Sequence, residues 1–130
     1  MAETMTFELV SPERRLARVD ARSVVLPGQL GELTAMPGHA PFFTTLRPGY
    51  VTVDDGAGGR FFVTGGFAEI NQESLAVLAE EAVEAEAVTA DWLDAKIAAA
   101  KEALAEAGED RKTVVGQIVD DYGFLRAQLG

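Results

Sequence analysis

Apolar and polar side chains alternate in short runs through residues 1–79. In the first run, Phe7 and Leu9 point one way and Glu8 the other, which predicts a half-buried β-strand over Thr6–Val10. Pro-Gly, Asp-Gly and Gly-Gly pairs separate the further apolar runs, which are Leu16–Val19, Val24–Leu26, Phe42–Leu46, Tyr50–Val53, Phe61–Thr64, Phe67–Ile70 and Leu75–Leu78. Short strands at this spacing predict an antiparallel β-sandwich or barrel.

The pattern changes to a helical period at residue 88, after which alanine dominates and proline is absent. Thr89 is the predicted N-cap of a first helix, Gly108 its predicted C-cap, and Asp110 the predicted N-cap of a second helix. The first apolar stripe is Leu93, Ile97, Ala100 and Leu104, and the second is Val115, Ile118, Tyr122, Leu125 and Leu129. Two such stripes predict an antiparallel helical hairpin.

The fold class predicted from both patterns is therefore α+β. A β-sandwich domain is expected over residues 1–87 and a helical hairpin over residues 88–130. The hairpin looks weakly held, because alanine buries little area and because Gly116 and Gly123 each cost about 1 kcal/mol in a helix interior. A mobile hairpin and a permanently packed one both fit these features.

Composition and charge exclude several classes of function. The 130-residue chain carries a formal charge of −10, which argues against nucleic-acid binding because phosphates are bound by Lys and Arg. Cysteine is absent, so disulfides and thiolate chemistry are excluded, and a cytoplasmic setting is expected. Residues 1–30 lack a basic stretch followed by a long apolar one, and we expect neither export nor a membrane span. No cofactor is predicted.

The segment Gly31–Pro41 combines two prolines, two glycines and the only histidine, His39. Proline fixes its own φ and restricts the residue before it, while Gly38 can adopt angles closed to other residues. We name this segment the ledge and predict a rigid surface loop. His39 has few candidate partners for a catalytic or metal site, since neither Cys nor a second His accompanies it. A structural or docking role is favoured over catalysis.

Two other turns contain residue types that occur in functional sites. Asp54–Gly59 lies between alternating runs and predicts a hairpin tip, on which the adjacent carboxylates of Asp54 and Asp55 would point apart. Thr64-Gly65-Gly66-Phe67 lacks the Lys-Ser/Thr pair of a phosphate-binding loop. Its glycines instead predict a sharp bend or a close approach of strands. A small β-barrel enzyme therefore lacks the residues it would need.

The ledge sequence resembles a family signature. Gly31-Glu32-Leu33 followed by Pro37-Gly38-His39-Ala40-Pro41 is similar to a motif of the epsilon subunits of bacterial F-type rotary ATP synthases. Leu46-Arg47-Pro48-Gly49, the Thr64–Phe67 turn and the helical end follow in the order expected for that family, so the resemblance covers the whole chain. Thr34 departs from the pattern, in which a glycine stands.

The resemblance implies a non-catalytic central-stalk subunit that binds the gamma subunit and the c-subunit ring. On this reading Glu32, Met36, His39 and Pro41 form the docking region, and the C-terminal helices can extend toward the alpha and beta catalytic subunits and hinder ATP hydrolysis. Its implied location is the cytoplasmic side of the bacterial plasma membrane, reached only through the complex. A small β-barrel binding module is a further alternative.

An ATP-responsive switch subunit is the second functional alternative. Some members of this family carry an ATP-sensing motif of the form I/L-D-x-x-R-A on the first C-terminal helix, where this chain has Leu93-Asp94-Ala95-Lys96-Ile97-Ala98. Asp94 is retained but Ile97 replaces the arginine, so the cation that would meet a phosphate is missing. We therefore predict no tight ATP binding.

Overall fold

The computed structural model describes residues 3–129. The chain divides into two compact units, with the boundary after Ala85. The first unit consists of β-strands and the second of α-helices. The predicted fold class, a β-sandwich followed by two helices, is confirmed.

The strands of the first unit, in chain order, are β1 Met5–Val10, β2 Arg15–Ala21, β3 Val24–Gly28, β4 Gly31–Ala35, β5 Phe42–Leu46, β6 Gly49–Val53, β7 Gly59–Val63, β8 Gly66–Ile70, β9 Ser74–Ala79 and β10 Ala82–Glu84. They pair in the order β10-β7-β6-β3-β5-β8-β9-β1-β2, and β4 pairs with β3 outside this path. The pairs are antiparallel except β1 with β9, which is parallel. All eight strands predicted from the sequence are present.

The core lies between the inward faces of these strands. β1 alternates between buried and half-buried positions, as its sequence predicts, with Phe7 and Leu9 fully buried. The rest of the cluster comes from the other strands and includes Val24, Leu26 and Ile70. Because this cluster runs from Met5 to Ala82, the first unit contains its own core.

Two strands were not predicted. The ledge was predicted as one rigid loop, but its first half is the strand β4, and only residues 36–41 are a loop. Glu32, Leu33, Thr34 and Ala35 do alternate between polar and apolar, but Gly31, Pro37 and Gly38 on either side are turn residues and favoured a loop. β10 was missed because three residues within an acidic stretch are too short to show a period.

The second unit contains α1, Ala90–Glu106, and α2, Lys112–Leu129, which pack on each other. The Thr89 side chain accepts a hydrogen bond from the Trp92 amide at 3.1 Å, so the predicted N-cap is confirmed. Asp94 near the start of α1 contacts Arg126 near the end of α2. The helices are therefore antiparallel.

The predicted ends between the helices are wrong in detail. Ala107, with extended backbone, is the C-cap of α1 in place of Gly108. α2 begins at Lys112, two residues after Asp110, and the amides of Arg111 and Lys112 both donate to the Gly108 carbonyl. The chain thus leaves α1 through an extended residue, which needs no glycine.

The stripes of both helices are largely as predicted. Leu93 and Ala100 on α1, and Val115 and Tyr122 on α2, are buried, whereas Leu129 is exposed. Neither helix described over residues 3–129 is long and apolar enough to cross a membrane.

Candidate functional site

The first half of the ledge is strand β4, which forms a hairpin with β3. Gln29 and Leu30 make its two-residue turn, and Gly31 takes the positive φ of 132° that the chain needs to return along β3. The side chain of Leu30 at the tip is fully exposed. Glu32 and Thr34 on β4 are also exposed, whereas Ala35 is buried.

The loop at residues 36–41 is fixed by backbone contacts at its centre. The Gly38 amide donates to the Gln72 carbonyl at 2.8 Å, which ties the loop to the turn between β8 and β9. The His39 amide donates to the Met36 carbonyl at 3.1 Å and closes a tight turn. Gly38 takes a φ of 84° there, as its predicted conformational role requires. These contacts account physically for a rigid loop.

The ring of His39 is half-buried and bonds within its own loop. Its Nδ1 lies 2.6 Å from the Ala40 carbonyl oxygen, and its ring centroid lies 6.5 Å from that of Phe42. A histidine bonded to its neighbour's backbone is held in place rather than poised beside a nucleophile. Among residues 3–129, no group of three or more His, Asp or Glu side chains is arranged to hold a metal ion.

A surface cleft of about 360 Å³ lies between β4 and the start of β5. Glu32 and Leu33 line it from one side, and His39, Phe42 and Thr44 from the other. The fold thus brings two of the predicted docking residues, Glu32 and His39, to one cleft. Met36 and Pro41 are exposed on the same loop but do not line the cleft.

An exposed apolar stripe, which sequence reasoning missed, crosses the outer face of three neighbouring strands. It consists of Phe43 on β5, Phe67 on β8 and Leu78 on β9, which are 61%, 47% and 55% exposed. The rings of Phe43 and Phe67 stack with centroids 5.7 Å apart, and Phe67 is the direct cross-strand partner of Leu78. Large apolar side chains grouped in this way are typical of interaction sites.

The turn before the stripe is set by Gly65 and Gly66. Both have positive φ, at 144° and 136°, and a Cβ built on Gly66 would overlap the carbonyl oxygen of Leu78. The predicted close approach of strands is therefore confirmed. It places Phe67 directly against β9.

The turn between β6 and β7 does more than reverse the chain. Asp54 lies at its start, and its Oδ1 accepts hydrogen bonds from the Arg22 and Ser23 amides at 2.7 and 3.0 Å. Asp54 and Asp55 both have positive φ, a conformation that Asp tolerates better than most residues. The Asp54 carboxylate is therefore structural, because it holds the β2–β3 connection against this turn.

Asp94 and Ile97, the degenerate positions of the ATP motif, lie on α1. Asp94 is exposed, and its Oδ1 accepts a hydrogen bond from Arg126 Nε at 2.9 Å. Ile97 is half-buried and continues the apolar stripe between Leu93 and Ala100. The carboxylate of the motif is thus engaged across the hairpin, and the position of its arginine is part of the packing surface.

Comparison with known proteins identifies the family. A family model described as the beta-sandwich domain of the ATP synthase delta/epsilon chain matches residues 4–85. An ATP synthase epsilon chain of Cereibacter sphaeroides (strain ATCC 17025) is 48% identical over 131 residues, which cover 100% of this chain and 99% of the relative. One from Ruegeria sp. (strain TM1040) is 51% identical over 130 residues, covering 99% and 93%. The chain belongs to the ATP synthase epsilon-chain family.

Solved structures give the same fold. A chain in the cryo-EM structure of the Euglena gracilis mitochondrial ATP synthase OSCP/F1/c-ring aligns with a TM-score of 0.75, covering 100% of this chain and 84% of that chain. A chain of the Tetrahymena thermophila mitochondrial ATP synthase central stalk and c-ring aligns with a TM-score of 0.57, covering 67% and 71%. Both are 19% identical to this chain, so the likeness is one of fold.

Proposed function

We propose that this chain is a non-catalytic rotor subunit of a proton-translocating F-type ATP synthase, and that it joins the gamma subunit to the c-subunit ring. It is then an accessory subunit without an active site of its own, held at the cytoplasmic side of the bacterial plasma membrane by the complex. Membership of the epsilon-chain family supports this role. So does the rigid, exposed surface of the β unit.

The observation that carries the proposal is the apolar stripe. At the exposures of Phe43, Phe67 and Leu78, roughly 300 Å² of apolar side-chain surface is open to solvent, since a large apolar side chain has about 200 Å² in all. A patch of this size is comparable to the largest apolar patch of a typical monomer, and such patches are often functional. We assign the stripe to the gamma subunit.

The ledge is assigned to the c-ring. Glu32, Met36 and Pro41 are exposed on it and His39 is half-exposed. The tether from Gly38 to the β8–β9 turn gives this surface a fixed position on the β unit. A rotor subunit needs such a contact, because a surface that yields under load transmits less rotation.

The two assignments are tested by separate substitutions. Phe67→Asp places a charge in the stripe and is expected to reduce capture of the chain by immobilised gamma subunit, because a buried unpaired charge is costly. Glu32→Trp and His39→Trp are expected to reduce association with isolated c-ring while leaving gamma binding unchanged. Glu32 and His39 lie outside the core, so their variants should change the melting temperature little, whereas Phe67→Asp also loses the stack on Phe43 and should be destabilised by about 1 kcal/mol. Wild-type capture by both partners in all three variants would contradict the docking assignment.

We propose that the helical hairpin regulates ATP hydrolysis by reaching the alpha and beta subunits. The features that support a detachable hairpin are its alanine-rich first helix and two glycines, Gly116 and Gly123, inside α2. Direct ATP sensing is disfavoured, because Asp94 pairs with Arg126 and Ile97 belongs to the apolar face of α1, between Leu93 and Ala100. Calorimetry on the isolated chain should detect no micromolar ATP binding, and a clear micromolar isotherm would overturn this view.

A further inference from the structure

The free edge of β4 is the feature that the proposed function does not use. In the described part of the chain β4 pairs only with β3, and β5 pairs with β3 only between Leu46 and Gly28. The cleft of about 360 Å³ is lined by Glu32 and Leu33 of β4 and by Phe42 and Thr44 of β5. The described residues form no ladder between these two strands, so the second edge of β4 is unpaired.

Proline at position 27 determines which backbone groups of β4 point outward. Pro27 has no N–H, so its pair with Glu32 cannot be a hydrogen-bonded one. The Pro27 carbonyl accepts from the Arg47 amide at 2.9 Å and therefore points away from β4. Hydrogen-bonded and non-hydrogen-bonded pairs alternate along an antiparallel ladder, so the Val25–Thr34 pair is also non-hydrogen-bonded. The N–H and C=O groups of Glu32 and Thr34 thus face away from β3.

We propose that this edge receives an extended segment of a rotor partner, which adds a strand to β4. The proposal rests on the proposed function and deepens it. The incoming strand makes up to four backbone hydrogen bonds, two to Glu32 and two to Thr34. An alternate side chain of the segment enters the cleft against Leu33 and Phe42, which are its apolar walls.

The negative charges of Glu32 and of the whole chain indicate which kind of segment binds the β4 edge. Glu32 is exposed and makes no ion pair among the described residues, so a strand with a basic side chain opposite it is favoured. A second copy of this chain is disfavoured, because each copy has a net charge of −10 and pairing of two β4 edges would bring their Glu32 side chains close together. The occupant is therefore a basic extended segment of another subunit.

Hydrogen exchange resolved to single residues tests the proposal directly. In the free chain the amides of Leu33 and Ala35 should be protected by β3, whereas those of Glu32 and Thr34 should exchange fast. In the assembled ATP synthase, Glu32 and Thr34 should slow by at least about tenfold. Equal rates for these two amides in the free and assembled states would overturn the proposal.

A pair of variants separates backbone pairing from side-chain contact. Thr34→Pro removes one outward N–H and leaves the β3 ladder intact. Loss of this hydrogen bond should weaken association with the rotor partner, the gamma subunit or the c-ring, about tenfold. Thr34→Val keeps the N–H and should bind within about twofold of wild type. Equal binding by the two variants would contradict strand addition.

The outcomes also distinguish this proposal from the proposed function. Absence of any association with gamma or the c-ring overturns the proposed function. Normal association in which Glu32 and Thr34 stay fast overturns only the strand pairing. Protection that rises with the concentration of the chain alone, without partner, assigns the edge to a second copy and overturns the basic partner.

Discussion

Phe43→Ala is the substitution that best tests the proposed docking of gamma on the apolar stripe of Phe43, Phe67 and Leu78. Phe43 is 61% exposed in the free chain, which leaves about 120 Å² for a partner to cover. At about 25 cal/mol per Å², and allowing for the Cβ that alanine keeps, loss of the ring should weaken gamma binding by about 2 kcal/mol. This corresponds to an increase in Kd of about 30-fold.

The cost to folding should be smaller than the cost to binding. Less than half of the Phe43 surface is covered in the free chain, mainly by contacts such as the stacked Phe67 ring. Loss of these contacts is expected to destabilise the chain by about 1 kcal/mol. Calorimetric titration of purified gamma with each variant measures the Kd, and urea unfolding measures the stability.

Val19→Ala is the matched control on the same unit. Val19 is 39% exposed, but its cross-strand partner is the core residue Phe7, so it lies on the opposite face from the stripe. Its removal should leave the Kd for gamma unchanged. If Phe43→Ala binds gamma as tightly as Val19→Ala does, the assignment of the stripe is wrong.

Coupling between the two stacked rings gives a second measurement. Phe43→Ala and Phe67→Ala should be non-additive in the binding assay, since each ring is part of the other's contact surface. A coupling free energy of about 0.5 to 1.5 kcal/mol is expected for such a pair. Fully additive effects would show that the rings do not act as one surface.

Four further predictions address the fold and the hairpin. Gly66→Ala should destabilise the β unit by at least about 3 kcal/mol in urea unfolding, because the Cβ overlaps the neighbouring strand at positive φ. A double-mutant cycle on Asp94 and Arg126 should give only about 0.2 to 1 kcal/mol, since both side chains are partly exposed; a larger value would indicate a dedicated clasp. Gly123→Ala should stabilise α2 by about 1 kcal/mol by circular dichroism, as a Cβ there meets open space. A truncation after Val88 should keep the melting temperature of the β unit and raise ATP hydrolysis by the assembled complex. An unchanged rate would contradict the proposed inhibition of hydrolysis by the helical hairpin.

Alternation and turn residues predicted most of the fold from the sequence. Core-facing positions such as Phe7 and Leu9 are apolar at every second residue because one face of each strand is buried. The Asp54 turn and the Gly65–Gly66 bend were recognisable because each needs residues that tolerate unusual backbone angles. Capping of α1 by Thr89 was predictable for the same local reason.

The stripe was not predictable in the same way. Each of its residues stands alone on an outward position of its own strand, and a single exposed apolar residue means little. Only the register brings Phe67 opposite Leu78 and stacks it on Phe43. Contact between residues distant in the chain depends on strand order, which a local pattern does not contain.

Strand β4 was missed because its sequence fits both a strand and a turn. Gly31, Pro37 and Gly38 are turn residues, and they flank a stretch whose outward positions are polar. The pairing with β3 is decided by Leu33 and Ala35, whose register places them beside Leu26 and Val24. Burial of these side chains outweighs the local preference for a turn.

Strand β5 connects the two proposed docking surfaces. Phe42 lines the cleft, and Phe43, the next residue, lies in the stripe on the opposite face. Successive side chains of a strand point to opposite faces, so partners bound to the cleft and to the stripe are joined through a single peptide unit. This strand is paired along its whole length with β8, from Phe42–Ile70 to Leu46–Gly66. On the proposed assignment, torque applied at one surface meets a hydrogen-bonded sheet, and a substitution that breaks the β5–β8 ladder should uncouple the two contacts even where each still binds.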